Sequence, residues 1–558
     1  MTIPVPEVAR PSPVTAPAEA RSRIDLVFLG LLILGTAVRI AYAISPHVHF
    51  GDESCYVMLA RNLFSGNGYT YYAGRSEVHF PPLFPIALGI LHTVGFDWYA
   101  VTRAAFVIFG SAAIVPVYLL GRSIYSRRVG RLAALIVALL PAYTSGILFG
   151  QTMGEPLFLF FLLLGIYAAH RASREQGVRF YVLSGAMFCL AYLTRPEAIL
   201  HTFVTFIFLT GYLLFRMPLR PRAAGLRLLA FWAAFLVLAS PYVLYLNAVT
   251  GKWALTTKDT TSYTTTRALV GHEGEKFQLD TWGLNEKGEI KYFAHEESHG
   301  LLALLTGPYR GRVLHDLRTN LATLMSSIRK SKLFGYVLLF LSILGFLGSP
   351  WRRTRTWSEL YHILLLLPTS VFLLFFIADR LLYPALIPLI LWAAAGADHI
   401  LHWIESTDLP GILDVTGGRR VLKGLCIAVI SAYLVNRGWF YFSLQRGEQD
   451  EVWAASAWLR ENTPEDSIVM STGPEVAFHA GRRWLPVPFA PIPELVAYAR
   501  TRNADYICLR GRYLAVRLHQ RVELFYNAKD REGLELLERS GWTPKNSFVV
   551  YRVKKQGV

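Results

Sequence analysis

Apolar stretches recur along the chain at lengths near twenty residues, separated by short polar turns and three longer polar regions. A helix needs about 20 mainly apolar residues to cross a bilayer. Eleven segments meet or approach that length: 24–44, 99–121, 129–148, 156–170, 180–194, 198–215, 228–246, 333–349, 359–378, 381–400 and 421–442. The fourth, fifth and eighth are short. Segment 83–95 is apolar but too short to span, and reads as a re-entrant or interfacial helix. The pattern predicts a polytopic α-helical membrane protein with about 11 transmembrane helices.

The polar regions complete the organisation. A Pro- and Ala-rich tail, 1–23, reads as disordered. Residues 24–442 form the membrane part, with polar loops at 45–98 and 247–332. Residues 443–558 form a soluble α/β domain. There, Val452 to Arg460 has a helical pattern, and Ser467 to Ser471, Asp505 to Leu509 and Phe548 to Val553 read as strands. The long loop opens with a threonine run, from Thr256 and Thr257 to Thr264, Thr265 and Thr266, which suits a mobile lid or a plain solvated loop.

Lys and Arg stay on the cytoplasmic side of short loops. Arg10, Arg21 and Arg23 lie in the tail, and alternate loops repeat the bias with Arg122, Arg127 and Arg128, then Arg171, Arg174 and Arg179. The expectation is a cytoplasmic N-terminus, an extracytoplasmic C-terminal domain, and a multi-pass location in the cell (inner) membrane.

Composition agrees. Of 558 residues, 53% are apolar and only 17% charged, which excludes intrinsic disorder and a single soluble globule. The net charge of +17 fits anionic headgroups or phosphorylated substrates. The membrane signal accounts for it without nucleic acid. Cys55, Cys189, Cys426 and Cys508 have no disulfide or metal spacing.

Candidate chemistry gathers at the outer ends of the spans. Asp52 and Glu53 open an amphipathic helix bearing Tyr56, Leu59, Ala60, Leu63 and Phe64 on one face. Asp52 suits an N-cap, and a rigidly held carboxylate can also serve as a general base. Glu155 has capping-box spacing from Thr152, but Pro156 follows it, so Glu155 is expected to be the cap itself. Arg195 is expected to cap the next span, with Pro196 and Glu197 in its first turn. Arg39, Arg103, Arg195, Arg380 and Arg437 lie near the same ends. Singly each reads as a snorkelling side chain. Together with the acids they suggest a site for an anionic group, since a guanidinium can grip two phosphate oxygens.

These motifs carry a resemblance. Asp52-Glu53 after the first span, His79-Phe80-Pro81-Pro82-Leu83, Glu155 before a span, Leu193-Thr194-Arg195-Pro196-Glu197, and Arg380 with Tyr383-Pro384 occur here in a familiar order. The chain resembles the GT-C glycosyltransferases of the protein O-mannosyltransferase and aminoarabinose transferase superfamily, and within it the bacterial Rgt-like type. The stretch Trp458-Leu459-Arg460-Glu461-Asn462-Thr463-Pro464 resembles the start of their outer domain. The resemblance covers about 24–500. It implies a polyprenyl-phosphate sugar donor, an envelope glycan, lipid or protein acceptor, and inverting transfer on the outer face. It implies Asp52 as general base, Glu53 in support, and Glu155 as a second acid. Arg380 and Tyr383 would face the donor phosphate, with Arg195 and His79 as further candidates there. It makes no cofactor certain, but some members bind a divalent metal, for which Asp52 and Glu155 are the ligands to consider.

One departure stands out. Relatives often carry Lys directly before the proline pair, whereas this chain has Phe80, preceded by His79, which is largely neutral at pH 7. The rival reading is a lipid-linked sugar flippase or other transporter. Transporters place ionisable groups near the midplane, whereas the carboxylates here gather at span ends.

Overall fold

The apolar repeats fold into helices whose ends follow local chemistry. In the computed structural model the described residues are 25–45, 49, 51–70, 75–149, 152–175, 177–217, 220–258, 274–291, 310–329, 333–348, 351, 353–374, 378–407, 416–445, 450–511, 520–540 and 547–555. The tail 1–23 and threonines 260–266 lie outside them. In chain order the first helices are α1 (Leu26–Ala43), α2 (Asp52–Phe64), α3 (Leu83–Thr93), α4 (Val101–Ala112), α5 (Ile114–Ile124), α6 (Arg127–Leu139) and α7 (Ser145–Phe149). Then come α8 (Glu155–Arg174), α9 (Val178–Thr194), α10 (Ala198–Phe215), α11 (Pro221–Thr250), α12 (Gly274–Trp282) and α13 (Arg310–Arg329). The set continues with α14 (Tyr336–Leu347), α15 (Arg353–Leu364), α16 (Leu386–Ser406) and α17 (Thr416–Gln445).

Among the described residues, eight helical stretches are long and apolar enough to cross a membrane. This is a polytopic helical membrane protein. Three of the eleven expected spans differ. α9 and α14 are shorter apolar helices. Segment 129–148 is not one helix: α6 ends at Leu139, a 3-10 turn covers Pro141–Tyr143, and α7 follows. Pro141 cannot continue the α6 ladder, which frees carbonyls at the break. Arg39 of α1 answers them. It is almost fully buried and donates to the carbonyls of Gly35, Val137 and Tyr143. The snorkelling reading of Arg39 is therefore corrected: the side chain turns inward, because backbone carbonyls in a bilayer must be satisfied by protein.

Small residues allow the closest helix contact. A Cβ on Gly345 of α14 would stand 1.9 Å from the carbonyl of Trp392, and one on Gly396 of α16 would stand 1.9 Å from that of Leu341. Without a hydrophobic drive between helices in lipid, such close backbone approach supplies the packing.

The region expected as loop 247–332 is partly helical. α11 runs on to Thr250, and α12 and α13 follow. The end of α12 and the turn after it pack on the C-terminal unit: the Phe489 amide donates to the Trp282 carbonyl, and Ile290 is buried with Met470 and Leu485.

That unit contains α18 (Asp450–Asn462), β1 (Ile468–Ser471), α19 (Glu475–Ala480), β2 (Arg483–Pro486), α20 (Ile492–Thr501), β3 (Tyr506–Arg510), β4 (Leu534–Ser540) and β5 (Phe548–Val553). The strand order is β2-β1-β3-β5-β4. β1 is parallel to β2 and β3, and β5 is antiparallel to β3 and β4. The expected helix and three strands are present. β2 and β4 were missed. β4 has the polar sequence LELLERS of an edge strand, and β2 is only four residues long.

One apolar core joins this unit to α2 and α3. Tyr56, Leu59 and Phe84 share it with Val452, Ala455, Leu459 and Val476. The His49 amide donates to Nε2 of His479 at 3.0 Å. The C-terminal unit is thus packed directly against the helix that begins with Asp52.

Candidate active site

Glycines set the entry to both acid-bearing helices. Gly51, at φ 46°, is the N-cap of α2, and Asp52 is its first residue. Gly154, at φ 89°, is the N-cap of α8, and Glu155 is its first residue. The expected caps, Asp52 and Glu155, are therefore each one position inside the helix. Positive φ suits glycine and not an L-residue with Cβ. At Gly154 a Cβ would also lie 3.2 Å from Thr194 Cγ2. The capping box does not form, and the buried Thr152 hydroxyl has no hydrogen-bond partner among the described residues. Both carboxylates instead sit in a first turn, where the helix dipole favours negative charge. The expected apolar face of α2 is buried at Tyr56, Leu59 and Ala60, whereas Leu63 is half-buried and Phe64 exposed. At its start Glu53, Ser54, Cys55, Tyr56 and Val57 are all buried.

The motif 193–197 joins two helices. Arg195 is the C-cap of α9, in extended conformation, and Glu197 is the N-cap of α10. This corrects the expectation that Arg195 caps α10. Its extended backbone aims the side chain across to α8. Nη1 donates to Glu155 Oε1 at 2.5 Å, and Nη2 to Glu197 Oε1 at 3.1 Å. The Met153 amide donates to Glu155 Oε2 at 2.8 Å. Arg195 is thus a buried clamp between two acids.

Burial raises the Glu197 carboxyl, but Arg195 and Lys258 outweigh it and hold it down at about 2. Both Glu155 oxygens are engaged. Among the described residues no group of three or more His, Cys, Asp or Glu side chains could hold a metal ion.

Tyr56 shows how the pieces converge. It lies one turn on from Asp52, is buried, and packs on Phe80 at 4.7 Å and Phe84 at 5.2 Å between ring centroids. Its hydroxyl feels Arg195, Asp52, Glu155 and Glu197. The two helix starts and the 193–197 turn therefore face one region.

The segment before the proline pair is built around Glu77, which sequence reasoning missed. Glu77 Oε1 accepts the amides of His79 and of Phe80, the latter at 3.0 Å. The Tyr245 hydroxyl donates to the Glu77 carbonyl at 2.7 Å, and Thr257 Oγ1 to the Val78 carbonyl at 2.7 Å. Burial pushes the Glu77 carboxyl up to about 7, with the two amides and Arg75 opposing. Burial pushes the His79 imidazole down to about 3, so it is neutral at physiological pH.

Arg380 lies in the 3-10 turn Asp379–Ala385 that opens α16, with Nη1 3.3 Å from Met153 Sδ. That places it beside the Glu155 turn. Tyr383 is buried three residues on, its carbonyl accepting the Tyr143 hydroxyl at 2.7 Å. Lys258 is the second residue missed. Its ammonium stands 5.7 Å from the Phe80 ring centroid and feels Glu197, Arg195, Asp52 and Arg380. Lone charges in loops carry no periodic signal, so Glu77 and Lys258 could be found only through spatial neighbours.

The comparisons with known proteins fit this arrangement. Residues 79–245 match the family model described as dolichyl-phosphate-mannose-protein mannosyltransferase. No curated protein matches the chain by sequence. Among solved structures, one of ArnT from Cupriavidus metallidurans is similar at 12% identity and a TM-score of 0.54, over 94% of this chain and 97% of that one. The oligosaccharyltransferase AglB from Archaeoglobus fulgidus is similar at 16% identity and a TM-score of 0.54, over 87% of this chain and 69% of that one. The fold is that of the GT-C superfamily. The resemblance read from the motifs is borne out at that level; the proline pair, Glu155, Arg195 and Glu197 lie inside the matched region, and Asp52, Glu53 and Arg380 lie outside it. One AglB structure contains zinc and sulfate, and one ArnT structure undecaprenyl phosphate.

Proposed function

We propose that this GT-C protein transfers a sugar from a polyprenyl-phosphate donor to a hydroxyl acceptor on the outer face of the membrane, with inversion. The observation that carries the reading is the convergence of Asp52, the Glu155–Arg195–Glu197 clamp, Lys258 and Arg380 at the ends of apolar helices. A lipid-borne donor reaches such a place sideways from the bilayer, while a polar acceptor reaches it from water. The matched family and the fold support lipid-linked sugar transfer in general, and an ArnT structure holds a carrier of this class.

In this reading Asp52 removes the acceptor hydroxyl proton as the oxygen attacks the anomeric carbon. The bond from that carbon to the phosphate oxygen breaks, and the carrier leaves as polyprenyl phosphate. Arg380 stabilises the charge gathering on the phosphate. Glu53 supports the turn carrying Asp52. Arg195 acts as a positioning residue, because its guanidinium is committed to Glu155 and Glu197. Tyr383 backs the turn bearing Arg380. The acceptor is an envelope glycan, a lipid or a protein. The proposed placement is multi-pass in the inner membrane, with the C-terminal unit on the outer side.

Asp52→Asn tests the base. A general base contributes about 10²–10⁴-fold in rate. The purified variant, with its donor and acceptor, is expected to lose at least about a hundredfold in turnover with unchanged thermal unfolding. Near-normal turnover would remove Asp52 from the role.

A further inference from the structure

Three cations meet the acids of the site, and they are not equivalent. Arg195 is spent on Glu155 and Glu197. Among the described residues Arg380 makes no ion pair, and its hydrogen bond is to the Met153 sulfur. Lys258 makes no ion pair there, and its ammonium rests over the Phe80 ring.

Its backbone is held. The Lys258 amide donates to Thr256 Oγ1 at 3.1 Å. The preceding Thr257 is tied to the Val78 carbonyl at 2.7 Å, and the Tyr192 hydroxyl donates to the Leu255 carbonyl at 2.5 Å. The stretch after α11 is thereby fixed onto the proline-pair segment and onto α9. An ammonium on so flexible a stem would ordinarily stay in water. Here the chain holds it in the charge cluster.

We propose that Lys258 is a donor-binding residue that takes a phosphate oxygen of the lipid carrier alongside Arg380, an assignment that rests on the transfer reading above. Phe80 positions the ammonium through a cation–π contact. Burial pushes the Lys258 ammonium below the usual lysine range, with Arg195 and Arg380 adding to this and Glu197 and Asp52 opposing it. A partly desolvated cation that makes no salt bridge among the described residues gains from an incoming anion. The gain grows along the reaction. A phosphodiester donor carries one negative charge, and the released monoester carries about 1.5 to 2 at neutral pH. Lys258 therefore favours departure of the carrier.

The test compares binding of undecaprenyl phosphate with that of undecaprenol, which lacks the phosphate, to the purified full chain. The variants are Lys258→Gln, Lys258→Arg and Arg380→Ala. Wild type is expected to prefer the phosphate. Lys258→Gln should lose about tenfold to a hundredfold in affinity for the phosphate and none for the alcohol. Lys258→Arg should recover most of the loss, which a purely structural role for the ammonium would not require. If Lys258→Gln keeps the full preference while Arg380→Ala loses it, the Lys258 proposal is overturned and the transfer reading stands. If wild type itself shows no preference, both fall. Should Lys258→Gln fail to fold, the wild-type preference measured against salt concentration decides: a salt-insensitive preference counts against an ammonium contact.

Discussion

Arg195→Met perturbs the site at its most committed residue. The guanidinium holds Glu155 at 2.5 Å and Glu197 at 3.1 Å, with side-chain exposures of 10% for Arg195, 3% for Glu155 and 21% for Glu197. Removing one partner of a buried ion pair strands the other, at a cost of about 3–5 kcal/mol. A second route gives a similar size. Glu197 sits at about 2 against an ordinary 4.5, because Arg195 and Lys258 overcome the effect of burial. Holding it there corresponds to about 3 kcal/mol.

The folded value is depressed, so this stabilisation is fully present above about pH 4.5 and is lost as pH falls through about 2. In Arg195→Met the burial is opposed only by Lys258 and a backbone hydrogen bond, and the Glu197 carboxyl moves up. The deficit of the variant is then largest near pH 8 and narrows toward pH 5, where protonation relieves the stranded charge. Unfolding followed by tryptophan fluorescence in detergent measures this. A loss of about 4 kcal/mol is expected to lower the midpoint by roughly 3 °C for a chain of 558 residues. Adding Glu197→Gln should return part of it. A deficit equal at both pH values, or none at all, would refute the clamp as the source of stability.

Further outcomes follow from the same geometry. Glu77 is raised to about 7, so its contribution is a penalty that grows as pH rises from about 4.5 to 7, by about 3 kcal/mol in all; Glu77→Gln should flatten that part of the stability profile, and an unchanged slope would show that another group titrates. Gly154→Ala forces a Cβ into positive φ and toward Thr194, costing about 1–2 kcal/mol; it should lower turnover as well as the melting midpoint, because Glu155 follows directly. Gly345→Val and Gly396→Val each drive a side chain into a backbone carbonyl; neither is expected to give folded protein by size-exclusion chromatography, and a native elution profile would contradict the close packing of α14 on α16.

The chain itself determined where apolar length suffices for most of the spans, and which acids and arginines stand at span ends. Such features are local: twenty apolar residues avoid water whatever surrounds them, and a carboxylate cannot settle in lipid. Hence Asp52, Glu155, Arg195 and Arg380 could all be named from order alone. What the order could not carry was partnership. Glycine conformations moved both acids one place into their helices, an extended turn aimed Arg195 at Glu155 instead of at solvent, and a break in α6 drew Arg39 inward. Glu77 and Lys258 gained their surroundings from segments remote in sequence, and one core fused the C-terminal sheet unit to α2. Charge interacts through space and desolvation depends on every neighbour, so which cation is spent and which is left for a ligand is a property of the fold.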